Sequence, residues 1–372
     1  MIEPNSNNFE LVSLNMRMAT DEDAHLPTYD HTKLSAINTC PTWGILRYSL
    51  HKRMPNASRA LPLEAGSAAH EAFAAVRWFQ YFTHQCKEDT QYNNAMYHGK
   101  RLFGEDRFSR MYNTLSTGST ERTNCINFAI EAIETCGFYD DITDNRRTIS
   151  NISESIISYI DAYDMKRYPI WVRDPTDPKS DIGIEISFDI VVDIQYIIKV
   201  PEYEQQSDGH TLKVRHTGKL DGLHWNKSKL FIYEEKTASR PDDVWLAQWI
   251  LSHQITGYCL AASTFTELDC NNAMVGGMRI PIGKIPAEGI RREQVNRNNH
   301  MYEKWANWFV TTITTEQQYI NDVISAPMFT HSCSRYFRSC SFMAFCGCES
   351  KEEKLAVIEE MEHDKWSPLD ES

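Results

Sequence analysis

The sequence predicts an α/β protein, a mixed central sheet flanked by helices. Three observations carry this. Gly183–Val200 is a long run rich in β-branched and aromatic residues. Leu220–Trp225 and Leu230–Lys236 are two strand-like runs joined by the polar connector Asn226–Lys229, which reads as a hairpin. Helix-period stretches lie on both sides, from Leu63 past Trp78, at Arg122–Cys136, at Ser153–Tyr163 and at Pro241–Ser263.

Composition sets the frame. The 372 residues suffice for one large domain or two ordinary ones, and 41% hydrophobic with 24% charged residues fits a soluble globular chain. No apolar run approaches the ~20 residues that span a bilayer, and Met1–Asn8 lacks the basic and apolar parts of a signal peptide. A cytosolic setting is therefore expected. There the ten cysteines are free, buried or metal-bound rather than disulfide-paired. The net charge of −13, from 38 basic and 51 acidic residues, argues against loose coating of DNA. It leaves binding in a local groove open, because salt confines the reach of a charge to about 8–10 Å.

In chain order, Met1–Pro27 has little periodicity and reads as an irregular lead-in. A short helix after His31 turns Leu34 and Ile37 inward and brings Cys40 to its end, where Pro41 allows a new helical start. On Cys40 alone, a small buried core residue is the simpler reading. In Leu63–Phe73 the residues Gly66, Ala68, Ala69 and Ala72 allow close helix packing, and His70 lies within the first turns. Residues 80–170 form a long polar and aromatic middle that carries no catalytic motif, with amphipathic helix patterns at Arg122–Cys136 and Ser153–Tyr163. On the β-rich run, Glu185 is either an additional acidic group near a metal or a solvent-facing strand residue, and it ranks below the core set.

The hairpin is the chemical centre. Side chains alternate along a strand, so Glu234 and Lys236 share a face, Glu235 takes the other, and Asp221 on the partner strand can reach the first. Carboxylates are hard ligands for Mg²⁺ or Mn²⁺. A bound divalent ion activates phosphate and water, and an adjacent lysine can orient or deprotonate that water or stabilise developing charge. On Glu-Glu-Lys alone, an exposed hairpin with a solvated charge run is the simpler reading.

The Pro241–Ser263 stretch offers Trp245, Trp249, Ile250 and Ile255 as core residues and places Gln254 and Tyr258 on one face. Ala273–Ile282 is a strand candidate in which Gly276 and Gly277 suggest a bulge or a close approach. Ile290–Ile320 reads as helix carrying Arg291, Arg292, Arg297, Trp305 and Trp308, and its basic start is either a phosphate contact or a solvated face. The C-terminal part clusters Cys333, Cys340, Cys346 and Cys348. Clustering of this kind points to metal. The C-x₆-C-x₅-C-x-C spacing lacks paired zinc knuckles, which leaves a [4Fe–4S] cluster on four thiolates as the alternative. The tail Glu349–Ser372 is charged.

Asp221-x₁₂-Glu234-x-Lys236 followed by Gln254-x₃-Tyr258 resembles the RecB-like branch of the PD-(D/E)XK nuclease superfamily. Gly66-x₃-His70 matches the motif that precedes the active-site strands in that family, and Ser35 through Tyr48 loosely matches the start of its iron–sulfur members. Leu220 stands where the family usually has proline, a position that is not a ligand. The specific motifs cover small parts of the span from Leu34 to Cys346.

The resemblance implies a restriction-endonuclease-like sheet. It implies His70, Asp221, Glu234 and the backbone carbonyl of Glu235 as metal ligands, with Asp221, Glu234, Lys236 and His70 catalytic and Gln254 and Tyr258 positioning DNA. It further implies a [4Fe–4S] cluster on Cys40, Cys333, Cys340 and Cys346 that clasps the two ends of the chain. The gap after Cys333 is longer than is common, so Cys348 is its rival. The domain plan that follows is an irregular segment 1–30, one nuclease domain 31–349 and a charged tail 350–372. Within that domain lie a helical insert 71–180, a catalytic core 183–282 and the cysteine cluster 333–348.

The expected activity is divalent-metal-dependent hydrolysis of DNA, Mg²⁺ or Mn²⁺ serving, by an exonuclease on single strands or opened ends. The expected setting is recombination, replication or repair in the cytoplasm, that of a host if the chain is phage-encoded. Protein partners from recombination, replication or CRISPR-type systems are implied, and no membrane. A structure-specific endonuclease or a CRISPR-adaptation-type processing nuclease is the first alternative. A catalytically silent DNA-binding scaffold is the second, and a redox protein is disfavoured by the lack of any flavin or nicotinamide motif.

Overall fold

The computed structural model describes residues 9–55, 61–198, 209–283, 289–335 and 338–366. The first elements are β1 (Phe9–Met18), β2 (Thr28–Tyr29), α1 (His31–Thr39), α2 (Pro41–Gly44) and β3 (Lys52–Arg53). Helices α3 (Leu61–His84), α4 (Asp89–Phe103), α5 (Glu105–Asn113), α6 (Glu121–Thr135) and α7 (Ile149–Ala162) follow. Then come β4 (Ile184–Ile198), β5 (His210–Asn226), β6 (Lys229–Thr237), α8 (Asp243–Ile250), α9 (His253–Thr266), β7 (Asn272–Met278), β8 (Ile290–Asn296) and α10 (Asn299–Tyr319). Short elements close the described chain: β9 (Ser334–Arg335), β10 (Arg338–Ser339), α11 (Met343–Cys346), α12 (Lys351–Glu360) and β11 (Glu362–His363).

The architecture is mixed α/β, a central and mostly antiparallel sheet flanked by helices, with strand order β1-β4-β5-β6-β7-β8 and β2 beside β5. The β6–β7 pair is parallel. A parallel neighbour requires a crossover, and α8 with α9 supply it. No helix among the described residues is long and apolar enough to cross a membrane.

Contacts divide the chain into two compact units. One, formed by Ala60–Phe188 and Lys219–Asn298, carries His70, Glu185, Asp221, Glu234 and Lys236. In it β6 runs between the end of β5 and β7, with β8 on the outer side of β7. The β5–β6 connection closes with Asn226 opposite Lys229, and Lys227 takes a φ of 57° in the left-handed region that tight hairpin turns need. Helix α3 buries Ala65, Ala68, Ala69, Ala72 and Ala75, together with Phe73 and Trp78, in a core shared with Phe108 and Phe128. The small side chains let neighbouring helices approach, while Trp78 fills the centre and donates its indole N–H to Ala95 O at 2.7 Å.

The other unit, Met1–Arg59, Asp189–Gly218 and Asn299–Glu371, carries the clustered cysteines. There β1 pairs antiparallel with the second half of β4, with a register shift between Leu11 and Ser13. β2 lies parallel to β5 at Arg215 and His216. Leu34 and Ile37 of α1 are fully buried, as expected. Ile45, Leu46, Val323, Phe342, Phe345 and Met361 form a local core.

Three readings are corrected, and one is decided between its two alternatives. The N-terminal segment is not irregular throughout, because Phe9–Met18 is strand β1. Its own periodicity is weak, and the ladder to β4 specifies it. The Pro241–Ser263 helix is two helices, broken at Leu251–Ser252, where Ser252 caps α9 through Ile255 N–H. Of its expected core residues only Ile255 is buried. Trp245 and Trp249 are half-buried, and Ile250 is 48% exposed. Ile290–Asn296 is strand, not helix, since pairing with β7 overrides local preference. Gly276 and Gly277 mark no bulge, because β7 keeps continuous register on both sides. They mark a close approach: a Cβ on Gly277 would lie 2.7 Å from both Pro241 and Trp245. Positions 199–208 lie outside the described residues, as do positions 367–372 of the charged tail.

Candidate metal centre

His70, Glu185 and Asp221 each present a ligand atom within 4.8 Å of the others. His70 comes from α3, Glu185 from the start of β4 and Asp221 from β5. His70 Nδ1 lies 3.4 Å from Asp221 Oδ1. Glu185, ranked below the core set on sequence, stands within this group. Its backbone has a φ of 48°, unusual for a non-glycine residue in a strand. Backbone strain of this kind is concentrated where a side chain must be aimed. Lys219 Nζ is 3.1 Å from Glu185 Oε2.

Glu234 and Lys236 share a face, as strand alternation requires, with Lys236 Nζ 2.5 Å from Glu234 Oε1. Gln254 Nε2 donates to the same oxygen at 3.0 Å and to Tyr258 Oη at 3.2 Å. Glu234 lies outside the three-residue group but interacts electrostatically with its Asp221. Glu234 Oε2 and Glu185 Oε1 are buried with no hydrogen-bond partner among the described residues. Two orphaned carboxylate oxygens near an Asp–His pair are the donor chemistry that a hard divalent cation satisfies. The residues present therefore fit such an ion.

Electrostatics separate the carboxyls. Burial, then the charge of Asp221, pushes Glu234 up to about 7 against the pull of Lys236. Burial and Asp221 also raise Glu185, with Lys219 and His70 opposing. Asp221 goes the other way: burial works against it, but His70 and then Lys236 and Arg77 hold it down at about 2. Burial works against the charged form of Lys236, yet Glu234 and Asp221 raise its pKa, so it remains an ammonium. A lysine held charged orients and stabilises rather than accepting a proton.

Beneath this face lies a layer that sequence reasoning missed. The Glu235 side chain turns away, as expected, but into the protein, where it pairs with Arg77 and accepts from Tyr159 Oη. All three side chains are buried. Arg77 sits two turns after His70 on α3, hence on nearly the same helix face. Arg292 stacks 3.7 Å from the Tyr163 ring centre and 4.6 Å from that of Tyr159, so it serves the interior here. Arg291 pairs with Asp243 and Glu293. Arg297 donates to the carbonyls of Trp249, Ile250 and Ser252 where α8 ends. Tyr258 is also placed differently from expectation. Its ring is only 8% exposed and packs edge-on to Phe188, so its hydroxyl rather than its face reaches Gln254.

In the cysteine-bearing unit, Cys40, Cys333, Cys340 and Cys346 line one cavity together with Trp43 and Phe342. Cys40 follows α1 and caps α2. Ser332 Oγ donates to Thr39 O at 3.0 Å, Thr42 Oγ1 to Ala326 O at 3.0 Å, and Cys340 N–H to Cys333 O at 2.8 Å. These bonds bring early and late chain segments around the same space. Burial pushes the Cys346 thiol up to about 11, with Cys40, Cys340 and Cys333 adding to the rise. Crowded thiols that resist ionisation are relieved by a cation that takes thiolate ligands, so the donor set fits an iron–sulfur group. Cys348 does not line the cavity and donates to Ala344 O at 3.3 Å. Compared with known proteins, the chain matches no family model, and no curated protein matches its sequence.

Proposed function

We propose that the protein is a divalent-metal-dependent DNA nuclease that hydrolyses phosphodiester bonds, acting as an exonuclease on single strands or opened ends. The supporting observation is the convergence of His70, Glu185 and Asp221 beside the Glu234–Lys236 pair on one sheet face. Bound there, Mg²⁺ or Mn²⁺ would supply Lewis-acid activation of phosphate and water. His70, Glu185 and Asp221 would hold the ion, and Glu234 would add its orphaned oxygen. The Lys236 ammonium faces the charge that develops on the phosphoryl oxygens. Gln254 fixes the Glu234 carboxylate and is in turn bonded to the Tyr258 hydroxyl. The imidazole ligand favours Mn²⁺ relative to an all-oxygen site.

The second part of the proposal is a [4Fe–4S] cluster on Cys40, Cys333, Cys340 and Cys346 as a structural clasp. The cavity that these four share supports Cys333 over Cys348. The expected setting is recombination, replication or repair. End-labelled single- and double-stranded DNA incubated with Mg²⁺, Mn²⁺ or EDTA tests the activity: cleavage that requires the ion is expected, and its absence in every condition refutes the proposal. Circular single-stranded DNA decides between modes. An exonuclease leaves it intact, and a structure-specific endonuclease or adaptation-type processing enzyme opens it.

A further inference from the structure

Lys219 has no part in the scheme above. It stands on β5 two residues before Asp221, so both side chains leave the same face of the strand. Its ammonium lies 3.1 Å from Glu185 Oε2, and its side chain is 37% exposed. Glu185 is at the same time one of the three residues close enough to share an ion. The ammonium meets this carboxylate at Oε2, and its orphaned Oε1 is open to the ion, so an ion bound at Oε1 would draw off the charge that holds Lys219.

We propose that Lys219 is a substrate-phosphate ligand held in reserve by Glu185 and released by the divalent cation. This rests on the nuclease reading. Without the ion, the ammonium supplies the counter-charge that the buried Glu185 carboxylate needs. When a divalent ion takes that carboxylate, Glu185 and Asp221 together are neutralised and Lys219 becomes a surplus positive charge. A lysine head is a compact point charge on a flexible stem. Being partly exposed, it swings from Glu185 to the nearest anion, a phosphate of the nucleic acid entering the site. Of the other carboxylates that act on it, Asp221 is itself proposed to hold the ion and Glu71 is already bound to Arg107 at 3.0 Å. Cation loading thereby creates a phosphate contact that the ion-free protein lacks, and DNA grip is coupled to metal through one side chain.

The test is the salt dependence of binding to a short fluorescein-labelled single-stranded oligonucleotide, by anisotropy. It uses the full chain, wild type and Lys219→Gln, in saturating Ca²⁺ and in EDTA. Each phosphate contact on a single strand contributes about 0.7 to the slope of log affinity against log salt. In Ca²⁺ the slope of Lys219→Gln is expected to be shallower than wild type by about that amount, and in EDTA the two slopes should coincide. Lys219→Arg should restore the Ca²⁺ slope. Equal slopes in both media, or the same loss in both, would overturn the proposal, the first leaving Lys219 a static counter-ion and the second an ordinary surface contact. Wild-type protein that binds no DNA in either medium would instead overturn the nuclease reading, and this inference with it.

Discussion

The backbone N–H of Glu235 donates to Asp221 Oδ2 at 2.7 Å, while the Glu235 side chain leaves the opposite face of the strand to pair with Arg77. The residue between Glu234 and Lys236 thus holds the key aspartate by its main chain and anchors α3 by its carboxylate. Removing one partner of a buried ion pair typically costs about 3–5 kcal/mol, whereas an apolar pair of similar volume is often neutral. Arg77→Met is expected to be destabilised by an amount of that order in urea unfolding. Arg77→Met combined with Glu235→Leu should recover most of it. Full stability of the single variant would show that the pair contributes nothing.

Asp221→Asn keeps an acceptor for the Glu235 amide but removes the ligand charge. It should fold normally and lose at least about 100-fold in cleavage and in Mn²⁺ affinity, as altered metal shells do. Lys236→Ala should retain Mn²⁺ and still lose cleavage, because its ammonium is proposed to act on the phosphate. Wild-type rates from either purified variant would refute the assignment.

The raised Glu234 pKa makes cation uptake depend on pH. Between its ordinary value of 4.5 and about 7 the folded protein keeps a proton on Glu234 that the unfolded chain has lost. The sign follows. This group's contribution to stability is present below the ordinary value and is lost as pH rises through about 7, whereas Mn²⁺ uptake, which needs the carboxylate, strengthens over the same window. Calorimetric titration at several pH values should show proton release on binding and an affinity that levels off above about 7. Glu234→Gln should flatten the profile, and an unchanged slope would remove Glu234 from the site.

Much of this centre was legible in the sequence, and the parts that were not share a cause. The hairpin was legible because a period-two pattern broken by a polar turn permits few other structures. His70 was singled out only because Gly66-x₃-His70 resembles a family motif, since a lone histidine in a helix normally reads as structural. Glu185 ranked below the core set because nothing local in the sequence signals its left-handed φ or its place beside His70 and Asp221. Arg77 was missed because its partner is remote in sequence and a charged residue in an amphipathic helix normally reads as surface. The strand at Ile290–Asn296 was misread for the converse reason: its Arg and Gln residues carry little β signal, and the ladder to β7 decides the structure. Tyr258 shows a face correctly shared with Gln254 but a wrong depth, because periodicity gives direction and not burial.

That depth changes what Tyr258 should do. With its ring against Phe188 and its hydroxyl on Gln254, Tyr258→Phe removes only the hydroxyl. It should keep stability to within about 1.5 kcal/mol, the net worth of one hydrogen bond, and lower the cleavage rate by freeing Gln254. Tyr258→Ala should in addition open a cavity costing about 3 kcal/mol or more. If Tyr258→Phe cleaves like wild type while Tyr258→Ala only unfolds more easily, the tyrosine is packing alone.

For the cysteines, anaerobically purified protein is expected to be brown and to contain iron and sulfide. Cys40→Ser, Cys333→Ser, Cys340→Ser and Cys346→Ser should each lose iron and lower the melting temperature, while Cys348→Ser should keep both. Stoichiometric zinc in place of iron, or iron loss confined to Cys348→Ser, would defeat the ligand set.

The way the two units are threaded also bears on how the chain matures on the ribosome. Every segment of the motif-bearing unit that holds the candidate metal centre has been synthesised by Asn298, whereas the other unit waits for Asn299 onward. Since domains fold as units during synthesis, the nascent protein passes through a stage in which one unit can close while Cys40 still lacks Cys333, Cys340 and Cys346. With the proposed cluster, iron delivery would follow closure of the motif-bearing unit, and a cell short of iron would accumulate chains in which that unit alone is finished.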